Sequence, residues 1–286
     1  MAQPTTDAAS QTLSVLGTVL GGYRAAARRS GSFLVLIIVW TALCTGTGYL
    51  VEEVTHARTD LLVHYTFPAL MRAEAADLVP YAALLLAASL IAIAVYRAIV
   101  LEEKPRWDAA LRIGRREMRF LALAILFSVP AHLGVEFLAV VVNFRAAPAL
   151  LTQALAIIGI PVLRRMSLVL LVHLLVSIAL TPFFSLAFPL IALGAPRGTL
   201  RQSLRLSRNH RLRLAAIGFL ASLPIIPLAY AFYLVGMPAT KPAVVLQSIV
   251  GIFVGLLAEV LVTGVFAVAF QRVTAHSHKG TYDVFD

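Results

Sequence analysis

The chain has 286 residues, 60% of them hydrophobic and only 13% charged, with a formal net charge of +10 and a mean hydropathy of +0.87. An apolar fraction this far above the roughly 45–50% of soluble domains excludes an ordinary water-soluble fold and predicts an integral membrane protein. The lone cysteine, Cys44, excludes an intrachain disulfide framework and a paired-thiol metal or redox site.

Residues 1–9 read as a polar tail. Beyond it Leu13, Leu16, Leu20, Tyr23 and Ala27 recur at helical spacing toward Arg28 and Arg29. This pattern predicts an amphipathic helix on the cytoplasmic membrane surface, capped by Asp7 or Ser10. No small-residue cleavage site closes the first apolar run, and Leu43 is too bulky for a lipoprotein site at Cys44. The run therefore reads as a retained span.

A hydrocarbon core about 30 Å thick needs a helix of about 20 apolar residues. Six runs meet that length, at roughly 32–51, 78–100, 118–141, 166–194, 213–235 and 243–270. The first two are joined by a mixed-charge loop, partly helical by pattern. A seventh run, 147–163, is short and interrupted by Pro161. With six spans and an inner N-terminus, the cytoplasmic side holds Arg24, Arg28, Arg29, Lys104, Arg106, Arg112, Arg115, Arg116, Arg119, the six arginines from Arg197 to Arg213, Arg272 and Lys279, 17 of the 24 basic residues. That bias obeys the positive-inside rule. A crossing at 147–163 would turn the Arg197–Arg213 run outward, so this segment is assigned to the outer interface or to a re-entrant loop.

The two long cytoplasmic connections resemble each other. "LRIGRREMRFLA" from Leu111 and "LRLSRNHRLRLA" from Leu204 agree at 5 of 12 positions at an offset of 93. Each opens on a cap signal, Asp108 in the first and Thr199-x-x-Gln202 in the second, and each runs into an apolar span. The expected unit is span, basic elbow helix, span, repeated in parallel over about 78–141 and 166–235. On one continuous helix, Arg197, Arg201, Arg205, Arg208 and Arg211 would form a stripe beside Leu200 and Leu204. Arg112, Arg115, Arg116 and Arg119 would do the same in the first unit. Such stripes set leucines into the acyl boundary and guanidiniums on lipid phosphates, at about 1 kcal/mol per charge near an anionic leaflet. Nucleic acid is not the expected partner of this basic chain, because its arginines lack interleaved stacking aromatics.

With the N-terminal helix, the segments "VYRAIVLEEKPRWDAALRIGRREMRFLAL" from Val95 and "APRGTLRQSLRLSRNHRLRLAAIGFL" from Ala195 resemble a group of bacterial six-span membrane proteins. That group is similar to the YciC-like family and to the membrane domain of some glycerophosphodiester phosphodiesterases. The resemblance implies a six-span scaffold in the inner membrane and an envelope or lipid-linked role. It transfers no catalytic residue.

Four ionisable residues within the apolar runs stand out: His132 and Glu136 in the third, His173 in the fourth and Glu259 in the sixth. Such residues are functional candidates by default. His132 and Glu136 are four apart on one helix face, and with His173 they could form a polar cluster; hydration near the outer interface is the favoured explanation. Glu259 has only apolar neighbours in "GLLAEVLVTG" and should face the bundle interior. Pro130, Pro182, Pro189, Pro224 and Pro227 read as kinks that fit helices together, and Gly251-x-x-x-Gly255 as a packing step. No His-Glu-x-x-His, Gly-x-Ser-x-Gly, phosphate-binding loop or dinucleotide fingerprint is present.

The sequence thus predicts an all-α bundle of six transmembrane helices with an N-terminal interfacial helix and two basic elbows. Residues 1–31 form the cytoplasmic tail and interfacial helix, 32–271 the membrane domain and 272–286 a cytoplasmic tail. The expected function is non-catalytic: a bacterial inner-membrane scaffold or accessory subunit binding anionic phospholipid, with no cofactor or metal. Protein partners or self-association stay open. The alternatives are a small-molecule or lipid transporter and an intramembrane enzyme acting on lipid head groups.

Overall fold

The computed structural model describes residues 13–55, 67–105, 112–127, 185–195, 199–224, 227 and 241–277. Among the described residues every regular element is a helix: α1 (Val15–Arg28), α2 (Ser30–Thr55), α3 (Phe67–Val100), α4 (residues 115–127), α5 (Ala187–Ala192), α6 (Thr199–Ser207), α7 (Arg211–Ser222) and α8 (Lys241–Ser277). Three stretches are long and apolar enough to cross a membrane: Ser30–Val51, Val79–Val100 and Pro242–Ala275. They coincide with the first, second and sixth predicted spans. The other three are described in part, as α4, α5 and α7 with turns at 185–186, 193–194 and 223–224, and 147–163 lies outside the described residues.

Helices α2, α3 and α8 pack pairwise into one bundle. Phe33, Leu36, Ile37, Trp40 and Cys44 recur at helical spacing on α2 and meet Ala87, Leu90, Ile91 and Val95 of α3 and Leu256 and Val260 of α8 in a common core. The opposite face of α2 is equally apolar: Leu34, Val35, Ile38 and Leu43 are exposed. A helix apolar all round needs protein or lipid on every side, and α2, apolar on both faces, is long enough to cross a membrane. The chain is an all-α membrane protein.

A second core joins α1, α5, α7 and α8 through Leu13, Val19, Leu190, Leu214, Ile217, Val265 and Phe270. Helix α4 is tied to α3 and α5 by aromatic contacts, with Phe120 and Phe188 centroids 5.0 Å apart and Tyr96 and Phe120 6.3 Å apart. Helix α5 closes with Gly194 at φ +86 and the Ala195 N–H donating to the Leu190 carbonyl, a turn that spares a side chain the left-handed backbone.

Two local expectations are corrected. Helix α1 is capped by Ser14, whose Oγ accepts the Gly17 N–H at 3.3 Å; Asp7 and Ser10 lie outside the described residues. Leu16, Leu20 and Ala27 of α1 are exposed, while Thr18, Val19, Gly22 and Ala26 form the face that it turns to protein. Finally, neither arginine set forms a single stripe. Arg201 and Arg205 lie on α6, Arg208 in the turn 208–210 and Arg211 at the start of α7, while Arg197 is outside the described residues. Ser207 Oγ donates to the Leu204 carbonyl and the His210 N–H to the Ser207 carbonyl, so local bonds replace the helical ladder at Arg208-Asn209-His210. In the first block Arg112 precedes the helix, which opens at Gly114 with the Glu117 carboxylate accepting the Gly114 N–H at 3.0 Å. Asp108, the expected cap, lies outside the described residues.

Helix α3 ends at Val100, and Glu102 just beyond it holds φ 57. A side chain in that left-handed region costs about 1–2 kcal/mol relative to a relaxed backbone, and glycine escapes the cost. Glu102 is exposed. Glu102→Gly is therefore expected to leave the thermal unfolding midpoint unchanged or raise it by the equivalent of up to about 1 kcal/mol, and a fall would contradict the assigned conformation.

Candidate functional site

The ends of α3 and α8, the starts of α2 and α4 and the turn after α5 meet at one end of the bundle, where arginines concentrate. Arg29, between α1 and α2, donates to the Ala98 carbonyl and, at 3.2 Å, to the Glu103 carbonyl. The first of these lies in the last turn of α3, whose carbonyls lack helical partners. Gln271 of α8 donates to the Ile99 carbonyl at 3.0 Å. Arg119 reaches from α4 to the Ala195 carbonyl at 3.1 Å, beyond the end of α5. The two arginine contacts place positive charge where helix C-termini carry partial negative charge.

Two ion pairs organise the same end. Arg97 grips Glu103 through Nε at 2.7 Å and Nη2 at 2.5 Å. Arg116 grips Glu117 Oε1 through Nε at 2.8 Å and Nη2 at 2.5 Å. Burial would raise the Glu117 carboxyl, but its bond to Arg116, backbone N–H donors including Gly114, and the Arg116 charge together hold it below the usual range.

Of the predicted lipid-binding arginines, Arg112, Arg115, Arg119, Arg201, Arg205, Arg208 and Arg211 are exposed and Arg116 is half-buried. Arg116 and Arg119 are engaged within the protein, whereas Arg201, Arg205 and Arg208 extend from a surface that also presents Leu200, Leu204 and Leu212, the last 88% exposed. The covered face of α6 is Thr199, Ser203 and Ser207, spaced by four, and α6 packs on α5. Small residues on that face let the helix seat closely while long side chains take the other.

Glu259 sits in α8, half-buried, and its Oε1 accepts the Thr263 hydroxyl at 3.0 Å one turn along. Tyr96 of α3, 4% exposed, lies within electrostatic reach of it. The carboxyl therefore has a partner on its own helix. His132, Glu136 and His173 lie outside the described residues. Among the described residues no three His, Cys, Asp or Glu side chains are grouped to hold a metal ion.

Sequence reasoning missed the crossing of α1 over α8. A Cβ added at Gly22 would lie 2.3 Å from Val265 Cα, and one at Gly264 would lie 3.1 Å from Ala26 Cβ. The Arg272 guanidinium donates to Thr18 Oγ1 at 3.1 Å and the Tyr23 hydroxyl to the Ala221 carbonyl at 3.0 Å, fixing α1 to both α8 and α7. The signal was present as Thr18, Gly22 and Ala26 at intervals of four, but large apolar residues nearby drew the reading to another face. Comparison with known proteins gave no matching family model, no matching curated protein and no matching solved structure.

Proposed function

We propose that the chain is a six-span inner-membrane protein with both termini cytoplasmic, which binds anionic phospholipid at its basic end and acts as a non-catalytic scaffold or accessory subunit. The observation that carries this reading is the exposed pairing of Arg201, Arg205 and Arg208 with Leu200 and Leu204. Leucines beside guanidiniums suit the boundary between acyl chains and phosphates, which takes up the apolar side chains and pairs the charges. The resemblance to YciC-like six-span proteins agrees with a lipid-linked role. Transport through Glu259 has less support, because the bond seen at its carboxyl comes from Thr263 on its own helix.

The topology is testable because Cys44, the one cysteine in the chain, is buried. An Arg205→Cys variant on a Cys44→Ser background is expected to react with a membrane-impermeant maleimide in inside-out vesicles and to stay unlabelled in intact cells. Labelling in intact cells would overturn the orientation and, with it, contact between this face and the inner leaflet.

A further inference from the structure

Beside the end of α3 lies a half-open cleft of about 170 Å³. Its floor is apolar, made by Leu90, Ile93, Ala94 and Ala98. At 1.5 Å per residue it runs about 12 Å along the stretch Val79–Val100 that is apolar enough to cross a membrane. Its rim is charged, with Arg97, Lys104 and Arg116 set against Glu103 and Glu117. Three cations facing two carboxylates leave one positive charge uncompensated. The pairing pattern locates it, since Arg97 and Arg116 are held by Glu103 and Glu117, while Lys104 is exposed and makes no ion pair among the described residues. Each paired guanidinium spends Nε and Nη2 on its carboxylate, which leaves Nη1 with its donors.

We propose that this cleft binds one anionic glycerophospholipid, its phosphodiester held at the rim by Lys104 with Arg97 and Arg116, and its first methylenes laid on Leu90, Ile93 and Ala94. The volume falls below the ~300–1,000 Å³ of pockets that engulf a whole drug-sized ligand, so it accommodates part of a molecule whose remainder stays in the bilayer. A free phosphate would gain nothing from the apolar floor. A zwitterionic lipid would bring a second cation toward Lys104, so the rim selects a net negative head group. Because the two arginines are already oriented by their acids, little side-chain ordering remains when the ligand arrives. This site is distinct from the exposed face of α6 and rests on the reading that this end of α3 meets an anionic leaflet.

The test is calorimetric titration of the full-length protein in a neutral detergent with dihexanoyl phosphatidylglycerol, dihexanoyl phosphatidylcholine and inorganic phosphate as separate probes. The wild type is expected to show one saturable site for the phosphatidylglycerol and none of comparable affinity for the other two. Lys104→Gln should weaken that site about tenfold, the loss of one charge-assisted contact, and Lys104→Arg should largely restore it. A triple Arg201→Gln, Arg205→Gln, Arg208→Gln variant should retain it. Absence of the site, indifference to Lys104→Gln, or equal affinity for inorganic phosphate would each overturn the proposal. A site lost in the triple variant and kept in Lys104→Gln would also reject the cleft while supporting lipid binding by α6, so the two readings fail separately.

Discussion

Gly22→Val is expected to detach α1 from the bundle. A Cβ at this position would meet Val265 Cα at 2.3 Å and Val265 N at 2.7 Å. These are backbone atoms of a 37-residue helix, which cannot swing aside as a side chain can. Relief requires the two helices to separate by more than an ångström along a contact that buries Val19, Ala26 and Val265. It also strains the Arg272 to Thr18 and Tyr23 to Ala221 hydrogen bonds. Overpacking of this kind costs about 1–3 kcal/mol where side chains can adjust, and a backbone clash belongs at or above the upper end. The expected outcome is a much lower thermal unfolding midpoint in detergent and rapid tryptic cleavage near Arg24 and Arg28. One residue earlier the result should reverse. A Cβ at Gly21 comes no closer than 3.6 Å to its neighbours, so Gly21→Ala should be neutral or stabilising by up to about 1 kcal/mol through helix propensity. Equal behaviour of the two variants would contradict the close crossing.

Replacing Arg201, Arg205 and Arg208 together by glutamine is expected to lower the preference for anionic over zwitterionic lipid by about tenfold. Three charges near an anionic surface set a ceiling of about 3 kcal/mol. Screening over a Debye length of about 8 Å, and the other exposed cations on the chain, reduce what is lost to roughly 1.4 kcal/mol. Electron spin resonance of spin-labelled phosphatidylglycerol and phosphatidylcholine in reconstituted membranes reads the preference directly. In the wild type it should fall as salt is added, and in the variant it should start low and respond weakly. Replacement by lysine separates charge from geometry. A lysine variant with wild-type preference means that net charge suffices, and a partial loss means that bidentate guanidinium contacts contribute. An unchanged preference in the glutamine variant would remove α6 from the lipid-binding account.

The three membrane-spanning stretches were legible because an apolar run of sufficient length is itself the physical requirement for crossing a bilayer. Ser30–Val51 and Val79–Val100 fall within two residues of the ranges read from sequence. The termini of those helices were less legible. Helix α3 begins at Phe67 and carries Pro80 inside it, and α8 continues helical through Arg272 to Ser277. Hydropathy marks where lipid begins and has no bearing on where a helix stops. At the candidate site, the exposure of Arg201, Arg205 and Arg208 followed from their charge. The break at Arg208-Asn209-His210 depended on local hydrogen bonds that compete closely with one more turn of helix. The engagement of Arg119 with Ala195, 76 positions away, was beyond reach, because no periodic pattern encodes which carbonyl a distant guanidinium will find. The bond from the Thr263 hydroxyl to Glu259 follows from a spacing of four on one helix.

The central claim is that the basic end of this membrane protein holds anionic phospholipid, and native mass spectrometry of the wild-type chain released from nanodiscs containing phosphatidylglycerol and phosphatidylcholine in equal amounts tests it most directly. The account predicts that the retained lipid is predominantly phosphatidylglycerol and that this excess shrinks in the triple glutamine variant. Lipid retained in the same proportion as the surrounding bilayer, in both proteins, would contradict it.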